Sequence, residues 1–116
     1  MIRLEKKESI YFLTMDADEN RWNTTFVREI ADALDEIEKD EGPGALISSS
    51  TNPKFYSNGL DLDWMQAPEN HPDGGDREVF GEEFMYLMGR FITLPIPTVC
   101  AINGHAFGAG FMFALS

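Results

Sequence analysis

Two stretches decide the fold: Phe55-Tyr56-Ser57-Asn58-Gly59-Leu60-Asp61-Leu62 and Asn103-Gly104-His105-Ala106-Phe107-Gly108-Ala109-Gly110. Each reads as a strand that passes through glycine into the start of a helix. Glycine lets the backbone bend sharply there, and the bend leaves amides at the positive end of a helix dipole without acceptors of their own. Two such amides facing one point make an oxyanion hole, which stabilises a carbonyl oxygen that gains charge when a proton leaves the adjacent carbon.

Working outward, the chain alternates strand and helix. Residues 2–6 and 9–15 read as an opening hairpin around Lys6-Lys7-Glu8. From residue 24 to about 39, Phe26, Ile30, Ala33, Leu34 and Ile37 recur at helical spacing, with Asn23 as a suitable N-cap and Gly42-Pro43-Gly44 as the stop. Residues 45–48 and 99–102 read as short buried strands. The stretch 67–75, with Pro68, Pro72 and Gly74-Gly75, is a flexible excursion rather than a domain linker. Asp76 can cap a second amphipathic helix with the stripe Phe80, Phe84, Leu87, Met88, Phe91 and Ile92, which Pro95 and Pro97 end. A further helix starts at Phe111. This alternation indicates an α/β class with mainly parallel pairing.

The bulk composition narrows the function. A 116-residue chain with 43% hydrophobic residues is the size of one domain able to bury a core. With 9 basic against 20 acidic side chains, its net charge of -11 opposes nucleic acid and anionic lipid. The same charge opposes a polyanionic ligand, which must then be held by local amide dipoles and a few well-placed cations. Cys100 has no partner for a disulfide and sits in an apolar run, which fits a buried, inert thiol in a reducing compartment. No stretch reaches the roughly 18 apolar residues of a membrane span, and the charged N-terminus lacks a signal-peptide core. These features point to an intracellular, cytoplasmic location, with a peroxisomal one left open.

The first glycine turn resembles the first oxyanion-hole turn of the crotonase, or enoyl-CoA hydratase/isomerase, superfamily. Pro97-Thr98-Val99-Cys100-Ala101-Ile102-Asn103-Gly104-His105-Ala106-Phe107-Gly108-Ala109-Gly110 resembles the second. The resemblance covers essentially the whole chain and is nearest to the monofunctional enoyl-CoA delta isomerases. It implies the N-terminal portion of a single crotonase-like domain, an α/β spiral of β-β-α units. The abrupt stop at Ser116 agrees, since a helix cut in its first turns has too few partners to offset its ordering entropy. It also implies an acyl-CoA substrate, coenzyme A entering with that substrate, no redox or metal cofactor, and a homo-trimer or hexamer.

Carried over by position, the family's oxyanion amides belong to Leu60 and Ala109, both acting through the backbone. Ser57, Asn58, Gly59, Leu62 and Gly108 are placed beside the substrate. Lys54 is a candidate for a coenzyme A phosphate or an ordinary solvated lysine, and Trp64 and Met65 line an acyl pocket or simply pack the core. In the family's hydratases a catalytic glutamate stands where this chain has Met112, a side chain with no proton chemistry. That departure favours isomerisation by a single base, which the resemblance places beyond Ser116. Other reactions of the superfamily, namely hydrolysis, dehalogenation and decarboxylation, share the same hole, and a non-catalytic assembly module is the rival from another class.

The remaining reactive side chains have plainer readings. His105, directly after Asn-Gly, is a turn residue, and His71 falls in the polar excursion. Asp61 and Asp63 suit the positive start of a helix. Ser57 lacks a Gly-x-Ser-x-Gly setting and a neighbouring base, so it is no nucleophile.

Overall fold

The computed structural model describes residues 1–67 and 75–116. The stretch 68–74, which carries His71 and most of the expected excursion, lies outside the described residues. Elements follow in the order β1 (Ile2–Lys7), β2 (Ile10–Met15), α1 (Thr24–Glu38), β3 (Ala45–Ser50), β4 (Phe55–Ser57), α2 (Leu62–Gln66), α3 (Gly75–Ile92), β5 (Thr98–Cys100), β6 (His105–Ala106) and α4 (Ala109–Leu115).

The hairpin β1–β2 is antiparallel and turns at Glu8, whose φ is 56°. Beyond it the pairing is parallel: β2 with β3, and β3 with β5, give a four-stranded sheet of order β1-β2-β3-β5. A separate pair, β4 with β6, is also parallel. Parallel neighbours need a crossover, and α1 supplies it between β2 and β3. In β2 every second side chain, Tyr11, Leu13 and Met15, is buried, the two-residue period of a half-buried strand.

Helix α1 begins where expected. Asn23 is in extended conformation and its side chain accepts from the Phe26 N–H at 2.9 Å. Its buried face of Phe26, Val27, Ile30, Ala33, Leu34 and Ile37 joins the core, and α3 packs alongside with Phe80, Phe84, Leu87, Met88 and Phe91. Two arginines tie these helices across their exposed edges. Arg28 forks onto Glu83 at 3.1 Å, and Arg90 bridges Asp35 at 2.8 Å and Glu38 at 3.3 Å.

Five expectations need correcting. The strand at β5 is not buried: Val99 is 56% exposed and Ile102 beyond it 54%, because β5 is an edge with β3 on one side only among the described residues. Ile92, assigned to the core stripe, is 70% exposed at the last turn of α3. Helix α3 starts at Gly75, so Asp76 lies in its first turn rather than at its cap, and α4 starts at Ala109, before Phe111. Cys100 is half-buried.

The hairpin is fastened to the end of α1 by Asp40, whose carboxylate accepts from the Lys6 ammonium and, at 2.5 Å, from the Tyr11 hydroxyl. The Gly42 N–H adds a third donor at 2.9 Å. These bonds, Lys6 first, hold the Asp40 carboxyl well below the usual carboxylate range. A depressed carboxyl pKa adds stability in full above the unfolded value of about 4, and the gain is lost as pH falls from there through the folded value. Asp40→Asn is therefore expected to melt at a lower temperature than the parent at pH 7 by circular dichroism. The gap should narrow steadily below about pH 4.

Candidate active site

The two glycine turns meet. β4 and β6 pair in parallel, and the chain on either side locks them: the His105 N–H donates to the Lys54 carbonyl at 2.8 Å and the Phe107 N–H to the Ser57 carbonyl at 3.0 Å. The approach is close because Gly110 has no side chain. A Cβ there would stand 2.5 Å from the Ser57 carbonyl oxygen and 2.6 Å from its Oγ.

Each turn contains a residue in left-handed conformation, Gly59 with φ 85° and Gly108 with φ 49°. A Cβ on Gly59 would sit 3.0 Å from the Phe107 carbonyl oxygen and 3.9 Å from the Ala109 nitrogen, so the backbones are in near contact at this point. Leu60 follows Gly59 directly and Ala109 follows Gly108. Neither the Leu60 nor the Ala109 N–H has an acceptor among the described residues. Ala109 opens α4, where the first-turn N–H groups have no acceptor within the helix, and Gly108 offers no side-chain cap.

Around Leu60 several backbone groups are taken. The Trp22 N–H donates to the Gly59 carbonyl at 2.8 Å, and the Asp61 N–H to the Trp22 carbonyl at 2.9 Å. The Asn58 N–H donates to the Glu19 carbonyl at 2.8 Å. The segment 19–22 thus acts as a strap that binds the Asn58 N–H, the Gly59 carbonyl and the Asp61 N–H and leaves the Leu60 N–H open. Within the strap, buried Asn20 adopts φ 53° and its amide donates to Ser50 Oγ at 2.7 Å and the Tyr56 carbonyl at 3.0 Å. Sequence reading passed over Asn20 and Trp22. The available signal was the run Asp-Glu-Asn-Arg before the α1 cap, since asparagine tolerates left-handed backbone better than most residues.

The expected site residues fall at different depths. Ser57 is fully buried; its hydroxyl donates to the Asn20 carbonyl at 2.7 Å and accepts from the Trp22 indole at 3.1 Å. A buried, doubly bonded hydroxyl supports the turn from beneath, so side-chain contact with a substrate does not fit it. Asn58 is half-buried and donates to Glu19 at 3.3 Å. Glu19 also accepts from Arg21, and these bonds, Arg21 first, lower its pKa. Leu62 is 52% exposed at the start of α2. Lys54 is exposed, with its ammonium 5.3 Å from the Phe55 ring centre. Trp64 and Met65 are half-buried and pack on the core cluster, with the Trp64 ring 5.9 Å from that of Phe80.

Asp61 caps α2, accepting from the Trp64 N–H at 3.1 Å, and Asp63 stands in that helix's first turn, as expected of acidic groups at a helix start. His105 is exposed and stacks on Phe107 at 5.3 Å with an 18° interplanar angle. Met112 is 44% exposed and lines a shallow groove of 280 Å³ with Met85, Met88, Ile92 and Leu115. Deeper, burial pushes the Tyr56 hydroxyl pKa up, with Cys100 beside it adding to the shift, and Ser48 Oγ is its partner at 2.7 Å. Among the described residues no group of three His, Cys, Asp or Glu could hold a metal ion.

A sequence model of the enoyl-CoA hydratase/isomerase family matches residues 5–116, and the chain belongs to that family. An Arabidopsis thaliana protein named enoyl-CoA delta isomerase 2, peroxisomal, is 33% identical across 100% of this chain and 49% of its own length. Enoyl-CoA delta isomerase 3 of the same plant is 32% identical, again over 100% and 49%. The crystal structure of an enoyl-CoA hydratase from Bacillus halodurans superposes with a TM-score of 0.86 over 98% of this chain and 46% of that one, at 19% identity. The fold is thus the crotonase-like α/β fold that the sequence implied. The chain spans about half the length of the curated relatives it matches.

Close packing at Gly110 can be tested against a helical glycine in open space, Gly81, where an added Cβ meets nothing within 4 Å. Gly110→Ala forces backbone apart and is expected to cost about 3 kcal/mol, the upper end for overpacking. Gly81→Ala is expected to gain about 0.5–1 kcal/mol from helix propensity. Urea denaturation of the two variants checks both signs.

Proposed function

We propose that this chain supplies the oxyanion hole of an enoyl-CoA isomerase. The thioester oxygen of a 3-enoyl-CoA sits between the Leu60 and Ala109 amides, which stabilise the dienolate formed when the alpha proton leaves. The observation that carries this reading is the pair of unbonded N–H groups, each following a glycine of positive φ, on backbones in near contact. Preorganised donors of this kind act on the charge that develops during reaction and need no reorganisation when it appears. Their dipoles also offset the net charge of -11 locally, where an anion is most stabilised.

Isomerisation is favoured over hydration by Met112. Adding water to a double bond uses a pair of acid–base groups, and methionine can be neither. Moving a proton from the alpha to the gamma carbon uses one base. The candidates near the turns are otherwise occupied: Asp61 caps a helix and accepts from Asn23, Glu19 is held by Arg21 and Asn58, and His105 is stacked on Phe107. The family resemblance places the base on a segment outside these 116 residues. Lys54, exposed beside the first turn, is the proposed contact for a coenzyme A phosphate, and Trp64 with Met65 the proposed wall for the acyl chain. Coenzyme A arrives with the substrate and no further cofactor enters the reaction. The family resemblance supplies the homo-trimeric or hexameric assembly. A cytoplasmic or peroxisomal setting fits the reading; two of the plant relatives are named peroxisomal, and among the described residues no helix is long and apolar enough to cross a membrane.

The test uses the 116-residue chain and a longer protein carrying it, assayed with 3-enoyl-CoA by the absorbance of the conjugated 2-enoyl thioester. The longer protein is expected to turn over, and Gly59→Ala in it to lose about 10²-fold or more in kcat, the effect of misplacing one oxyanion donor. The short chain is expected to bind without turnover. Comparable rates from the short chain would place the base within it, with His105 the first residue to replace. Consumption of 2-enoyl-CoA by water addition would overturn the choice of isomerase.

A further inference from the structure

The two open amides lie on different elements, one after β4 and one on α4, and they serve one oxygen only if something fixes their separation. Trp22 touches both sides. Its backbone brackets Leu60, as described above, and its indole N–H donates to Ser57 Oγ at 3.1 Å, beneath the first turn. Its ring, 0% exposed, lies 5.2 Å from Phe113, the α4 residue one turn after Ala109. The same ring meets Phe26 of α1 edge-on at 4.6 Å and Phe84 of α3 at 5.1 Å, so it cannot shift without disturbing three helices. Tyr56 of β4 also stacks on Phe113, at 6.1 Å and 16°. Trp22 combines a hydrogen bond to the first turn with a ring contact to Phe113, tilted at 58°, while Phe26 and Phe84 hold the indole edge-on from the other helices.

We infer that Trp22 is the positioning residue that sets the distance between the Leu60 and Ala109 amides, holding the first turn by hydrogen bonds and α4 through Phe113. The catalytic meaning of that distance rests on the oxyanion-hole reading, whereas the positioning is a property of the free chain. Trp22 touches no reacting atom. Its effect reaches the site through Ser57, Gly59 and Phe113.

The experiment records ¹⁵N–¹H spectra of the chain, free and titrated with acetoacetyl-CoA, a thioester that enolises. In the free chain, Trp22→Phe, which deletes the indole donor but keeps an aromatic ring, is expected to move the Leu60 and Ala109 amide resonances together by more than a linewidth. Leu34→Ala, a buried core truncation on α1 away from both turns, is expected to lower stability and leave those two resonances in place. Ser57→Ala, which removes the indole's acceptor together with the bond to the Asn20 carbonyl and spares the ring, is expected to move the same pair as Trp22→Phe does, and it carries the test should Trp22→Phe fail to fold. Movement of Leu60 alone, or of neither, in the folded variant overturns the inference. Titration of the parent chain separates the two claims: if acetoacetyl-CoA shifts neither amide there, the oxyanion-hole reading falls while the free-chain comparison still decides the role of Trp22. With the reading intact, acetoacetyl-CoA is expected to shift both amides in the parent, and the paired response to be lost in Trp22→Phe.

Discussion

Everything at the candidate site depends on the contact of Gly110 with Ser57. It is a steric permission more than a bond: an absent Cβ lets α4 begin against the floor of the first turn, so two strand-to-helix junctions share one point in space. The hydrogen bonds from Phe107 and His105 then hold what the missing side chain allows. The four-stranded sheet, the α1–α3 layer and the aromatic core can be understood as the frame that presents these two backbones to each other.

The frame spends buried polar groups to do this. Asn20, Ser48, Ser50, Ser57 and Thr24 are all buried, and the bonds of Asn20, Ser57, Ser50 and Tyr56 run one into the next beneath the first turn. Buried polar groups cost free energy unless satisfied, and satisfied ones specify a single arrangement because a shifted backbone leaves several orphaned together. A purely apolar floor would have sealed the turn with less constraint on its geometry. The unbonded amides of Leu60 and Ala109 lie directly above this bonded floor.

Much of this was legible in the sequence, for physical reasons that differ from element to element. The α1 boundaries followed from Asn23 and a 3.6-residue apolar period, both local properties. The glycine turns were legible because positive φ and close approach each demand glycine, so Gly59, Gly108 and Gly110 announce backbone geometry directly. The strap 19–22 was not legible. Its work is done by main-chain bonds to residues nearly forty positions away, and Trp22 in the sequence is simply an apolar residue before a helix cap. Ser57 was misjudged for a related reason: the motif marks a serine near the site but does not say whether it faces outward or downward. Burial at β5 and Ile92 was overestimated because apolar character shows what a residue tolerates, whereas its place in the sheet order decides what covers it.

The open side of β5 has one more consequence. Among the described residues β5 pairs with β3 alone, and a strand edge with unpaired main-chain groups is a template for another strand, including that of a second copy. Each copy also carries a charge of -11, so their mutual repulsion is one barrier to edge-to-edge growth. That barrier is ionic and therefore soft: its range shrinks to about 8 Å at physiological ionic strength. The colloidal behaviour of this chain is thus set by dissolved salt as much as by its fold, with dilute buffer keeping molecules apart and concentrated salt letting their edges find one another.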